Sequence, residues 1–183
     1  MLTIVLMFIL AIAFYTGARR GLVLQVVLTV GYLITLVEAK KYYLVLAKKI
    51  ELLIPYPSPT VESRLVFFKG ETLFKLDEAF YAGVAFLMIL FVGWLVTRFI
   101  GILCHKLTFF PLIKELNLIG GGILGFSVVY VGIFFILIVL TMVPLDLIQN
   151  LFRESGFARF IVEKTPYFST KAVEWLVAAV SNS

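Results

Sequence analysis

The chain has 183 residues, 62% of them from the apolar and aromatic set and only 15% charged, with a net charge of +5 and a mean hydropathy of +1.07. A soluble domain averages about 45–50% apolar and about 25% charged residues, so too little polar surface is present to cover a globule in water. A soluble enzyme is excluded first. Four stretches carry no charge at all: Leu2–Ala18, Gly21–Val37, Ala79–Thr97 and Leu116–Leu145. A helix needs about 20 apolar residues to cross a bilayer, and inside hydrocarbon every backbone polar group must be satisfied within the segment. These runs lack the alternation of barrel strands. The expected fold class is therefore an all-α integral membrane protein with about four transmembrane helices, near residues 2–18, 21–37, 79–103 and 117–143.

The first two runs are short, each about 26 Å at ~1.5 Å per residue. They read either as two full spans joined by the turn Gly17-Ala18-Arg19-Arg20-Gly21 or as a hairpin that enters and leaves on one side. Interfacial Thr16, Tyr42 and Tyr43, with Arg19 and Arg20 snorkelling from the turn, favour two spans. No basic residue precedes the first run, so a cleaved signal peptide is not expected.

After the second run Tyr43, Leu46, Ala47, Ile50 and Ile54 fall on one helical face, with Lys41, Lys48 and Lys49 opposite. This spacing predicts an amphipathic helix over 40–54 lying among the headgroups. Pro55, Pro57 and Pro59 then end it, and residues 55–78 read as a polar loop of mixed charge. Asp77 and Glu78 complement the positive end of the third helix; a cation or proton site is the alternative reading.

Gly93, Thr97 and Gly101 form a small-residue stripe on the third span, where close backbone approach can supply packing that lipid does not. Arg98 lies beside it near the end of the run and reads as a snorkelling charge. Asn117 is a plausible N-cap of the fourth span, which continues through Gly120-Gly121-Gly122; the spacing of Gly121, Gly125 and Gly132 places all three on one packing face. The triglycine is either part of a tilted helix or a bent approach to the membrane. It is no phosphate loop, because no Lys-Ser/Thr follows. Beyond Pro144, residues 145–183 read as amphipathic tail helices that lie in the interface or cover the span bundle, making 1–144 the membrane domain.

Cys104 and His105 are the sole cysteine and histidine, so no internal disulfide and no Cys/His zinc cluster is expected. No catalytic, cofactor or metal residue is predicted, and Ser127 has no histidine near it in sequence. The excess positive charge sits at span ends, which points to anionic headgroups rather than nucleic acid. Arg19, Arg20, Lys41, Lys48, Lys49 and Arg98 are the expected topology and lipid-facing charges.

The order of features resembles the colicin V production protein family, CvpA. The resemblance rests on the short spans around Arg20-Gly21-Leu22-Val23, the Lys/Tyr-rich segment, Gly121 and Gly125 in the fourth span, and Ser155 to Pro166 in the tail. Where the family pattern has basic residues after the Arg-Gly turn and around the Gly-x-x-x-Gly segment, this chain has Leu24-Gln25, Leu118 and Val128. The resemblance implies a small multi-pass protein of a bacterial inner or plasma membrane that supports production or export of a peptide bacteriocin and envelope homeostasis. It implies partner binding, to a second copy or to a membrane protein of an export machinery, rather than catalysis. A small oligomeric channel or carrier is the alternative, disfavoured because the span cores hold no ionisable group.

Overall fold

A computed structural model describes residues 1–53, 55–56, 66–67, 76–106, 113–166 and 168–171. The described residues form six α-helices and no strand: α1 (Leu2–Arg20), α2 (Leu22–Ile50), α3 (Leu76–Leu103), α4 (Lys114–Thr141), α5 (Asp146–Glu154) and α6 (Gly156–Lys164). The first four are long and apolar enough to cross a membrane. Only 22% of the apolar window of α1 and of α2 is buried, so most of their apolar surface faces outward. Exposed Phe8, Leu33, Phe91, Phe99 and Ile123 make a surface that water would not tolerate and lipid would. Hydroxyls on these helices turn back on their own backbone: Thr29 Oγ1 donates to the Gln25 carbonyl, Thr35 to Gly31 and Ser127 to Ile123. No hydroxyl among these needs a water partner.

The amphipathic segment expected over 40–54 is not a separate helix. Nothing between Val37 and Lys41 breaks a helix, and α2 continues unbroken to Ile50. Its apolar face packs against α3: buried Ala47 and Ile50 join Ala82 and Ala85, flanked by Tyr43, Leu46 and Tyr81. Lys41, Lys48 and Lys49 are exposed. Residue 54 and most of the polar loop over 55–78 lie outside the described residues, as do Phe109, Phe110 and Pro111 and the tail beyond residue 171.

The fold divides into two compact units, one of Met1–Ile4, Lys41–Leu87 and Phe134–Ser183, the other of Val5–Lys40 and Met88–Ile133, with α1, α2, α3 and α4 contributing to both. In the first unit α5 and α6 pack on each other, and Gln149 of α5 donates to the carbonyl of Thr141 at the end of α4. Phe152 and Ile161 are fully buried, and Phe168 packs on Phe134 and Phe135. Thr3 and Ser155 share a 2.8 Å hydrogen bond, and Ser155 Oγ also accepts from the Ala158 N–H to cap α6. Tyr56 donates its hydroxyl to the Met142 carbonyl at 2.7 Å while its N–H reaches the Tyr81 hydroxyl. Burial, with Asp77 and Tyr81 beside it, pushes the Tyr56 phenol up to about 12 and keeps the donor protonated.

Candidate functional site

The second unit is built on close backbone contact at the point where α1 turns into α2. Gly21 carries φ 79°, a left-handed conformation that a side chain rarely adopts. Its N–H closes α1 on the carbonyls of Gly17 and Ala18, and its own carbonyl accepts the Gln25 N–H to begin α2. The next N–H, that of Leu22, donates to Asn117 Oδ1 at 2.7 Å. Asn117 is therefore not the N-cap of its own helix, which begins three residues earlier at Lys114; it supplies the N-terminal acceptor of α2 from across the unit.

One turn on, the triglycine is continuous helix rather than a bend. A glycine inside a helix costs about 1 kcal/mol relative to alanine, and here three neighbours account for it. A Cβ on Gly120 would meet Leu22, one on Gly121 would lie 2.6 Å from the Gly17 carbonyl oxygen, and one on Gly122 would strike the Phe14 ring. Gly125 likewise faces the Ala13 carbonyl at 2.8 Å and Gly17 Cα at 2.9 Å. As Gly17 pairs with Gly121 and Ala13 with Gly125, α1 and α4 run antiparallel here. Gly132 does not share this contact, because a Cβ there would meet open space.

The stripe on α3 faces α2. Gly93 lies against Thr35, Thr97 against Gly31, and Gly101 against Leu28, again in antiparallel order. Thr97 is buried. Gly93, Thr97, Gly101, Gly121 and Gly125 thus meet partners within the chain. Gly17 and Gly31, the opposite halves of these contacts, were not singled out by sequence; the signal that finds them is the spacing of small residues in register on the antiparallel neighbour. Gln25 is also buried, and its Oε1 has no partner among the described residues.

Replacing Asn117 with leucine removes the acceptor for Leu22 and is expected to lower the stability of detergent-solubilised protein by about 1 kcal/mol. Asn117→Asp keeps the acceptor and places a negative charge at the positive end of α2, so it should stay near wild type. Thermal unfolding followed by circular dichroism checks the pair, and equal melting temperatures for Asn117→Leu and wild type would remove the cap from the account.

Charged residues occupy the same part of the unit. Arg19 is exposed and rests on Tyr15, with its guanidinium 6.0 Å from the ring centroid. Arg98 is half-buried, its guanidinium 5.6 Å from the Trp94 ring. Arg20, also half-buried, lines a cavity of about 320 Å³ together with Arg98 and His105; Leu24, Leu28, Gly101 and Ile102 complete the wall. Cys104 is half-buried and free. Among the described residues no three His, Cys, Asp or Glu side chains come together as metal ligands. Asp77 Oδ1 accepts the Glu78 N–H within the first turn of α3.

A family model described as colicin V production protein matches residues 2–166. The chain is 29% identical over 170 residues to the uncharacterized transmembrane protein YshB of Bacillus subtilis, an alignment covering 92% of this chain and 93% of that one. No solved structure matches it.

Proposed function

The chain belongs to the colicin V production protein family and is a multi-pass bacterial membrane protein, and from that premise we propose that it supports production or export of a colicin V-type peptide toxin, and envelope homeostasis, by binding a membrane partner rather than by catalysis. The observation that carries this reading is the two-sided tail. One side of α5 and α6 is fixed by buried Phe152, Ile161 and Gln149. The other presents Leu147, 76% exposed, and exposed Leu145 and Phe160 beside exposed Arg153 and Arg159. A pre-ordered amphipathic surface binds without the cost of folding first, and its mixture of apolar and cationic groups suits a membrane protein at headgroup depth. The glycine stripes meet neighbours in the same chain, so they support a scaffold that holds this surface rather than serving as the contact themselves.

The test uses a toxin-producing strain that lacks this gene. Wild-type protein is expected to restore secreted toxin, and the double substitution Leu147→Asp, Phe160→Asp to lose most of that restoration at unchanged membrane level and unchanged melting temperature. Full restoration by the double variant rejects the tail as the contact. Failure of the wild-type protein to restore secretion rejects the toxin role itself.

A further inference from the structure

We propose that the cavity at Arg20 and Arg98 binds a phosphate group, carried by an anionic lipid or free in solution. The two guanidinium groups come from different helices, the last turn of α1 and the C-terminal part of α3, and converge on one cavity of about 320 Å³. Both arginines line the same cavity, so their like charges share one small space. Their mutual effect is repulsive. Among the described residues no carboxylate lines the cavity. Two like charges half-removed from water with no counter-ion raise the energy of the folded state, the more so beside apolar walls such as Leu24 and Leu28. An anion seated between them reverses the sign of that interaction.

The kind of anion follows from the donors. Each arginine offers a planar fork of N–H groups that matches two oxygens of a tetrahedral anion, and phosphate presents enough oxygens for two forks. Snorkelling accounts for one arginine reaching water from a span end. It does not account for two from separate helices turning to the same apolar-walled space. Ile102, 71% exposed, forms part of that wall, so an apolar surface leads outward from the cationic centre. A headgroup phosphate in the cavity with its chains along that surface satisfies both halves, and the volume of about 320 Å³ admits the phosphate.

The experiment is thermal unfolding of the purified full chain in a neutral detergent at constant ionic strength, with three additions: dihexanoyl phosphatidylglycerol, inorganic phosphate, and dihexanoylglycerol, which has the chains without the phosphate. The expected result is saturable stabilisation by the phospholipid and none by dihexanoylglycerol. Arg20→Gln and Arg98→Gln should each weaken the apparent affinity about tenfold or more, the loss expected when a charge-assisted contact of ~1.5–3 kcal/mol is removed. Arg19→Gln, outside the cavity, should bind as wild type. Stabilisation by phospholipid alone assigns a lipid headgroup, and stabilisation by inorganic phosphate with the same loss in both variants assigns a free anion. The proposal is overturned if neither phosphate compound stabilises, if dihexanoylglycerol does so equally, or if both glutamine variants bind undiminished. Should a glutamine variant not fold, Arg98→Lys keeps the charge and loses the fork, and must still bind more weakly than wild type.

Discussion

Gly121→Ile is expected to prevent the protein from being isolated as a single folded species, whereas Gly132→Ile should purify and melt like wild type. The two positions differ by what a side chain would strike. At Gly121 the obstruction is backbone on the opposite helix, the Gly17 carbonyl oxygen at 2.6 Å and the Gly21 carbonyl carbon at 2.9 Å from the position of a Cβ. Neither can rotate away as a side chain does. Inserting atoms into a packed interior costs about 1–3 kcal/mol where neighbours can move, and here α1 and α4 must separate along the whole Gly17, Gly121, Gly125 contact. In lipid no hydrophobic drive holds two separated helices together, so lost backbone contact is not made good by lost exposure to water. Separation also carries Gly21 away from Asn117 and removes the acceptor for the Leu22 N–H. Size-exclusion profile and melting temperature in detergent are the readouts, with Gly17→Ile expected to reproduce the Gly121→Ile defect. A Gly121→Ile protein that elutes and melts as wild type would show that the helices do not meet there.

The same contrast explains what sequence alone could and could not show. Four uncharged runs separated by a few charges already place four helices, because the bilayer constraint acts on each segment independently. Small residues spaced by four mark Gly93, Thr97, Gly101, Gly121 and Gly125 as approach points, but a stripe does not say what approaches it. Gly132 has the same periodicity as Gly121 and meets nothing, since a period records which face a residue is on and not how far the neighbouring helix extends. Asn117 has the composition of an N-cap and does that work for α2 instead, a contact across ninety-five positions that local spacing cannot reveal. The segment after Val37 is amphipathic in pattern, yet whether such a face meets headgroups or another helix depends on α3, whose Ala82 and Ala85 leave room for it. Arg20 and Arg98 each read as an isolated snorkelling charge; only the antiparallel pairing of α2 with α3 brings them to one cavity.

The second large effect is expected at Gln149, whose replacement by leucine should loosen the tail from the first unit without dismantling the spans. The side chain is 2% exposed and its hydrogen bonds go to backbone groups. Its Nε2 donates to the Thr141 and Val143 carbonyls at 3.2 and 2.8 Å, and its Oε1 accepts the Val66 N–H at 3.0 Å. The last carbonyls of a helix have no partner within it, and Pro144, which has no N–H, ends the local supply of donors just where α4 stops. Gln149 therefore closes α4 from the second turn of α5. Leucine has similar bulk and repairs none of this, leaving two carbonyls and one N–H without their partner; at about 1 kcal/mol or more for each, the loss is about 3 kcal/mol or more. Asn150, exposed and accepting from Arg153 at 3.0 Å, is the matched control, and Asn150→Leu should change little. The readout is limited trypsin digestion in detergent. Cleavage after Arg153, Arg159 and Lys164 should accelerate in Gln149→Leu several-fold or more while cleavage elsewhere keeps its wild-type rate, since opening confined to α5 and α6 exposes those three sites. Gln149→Glu should accelerate it further, because a carboxylate cannot donate to either carbonyl and repels both. Wild-type cleavage rates in both variants would mean that buried Phe152 and Ile161 suffice to hold the tail.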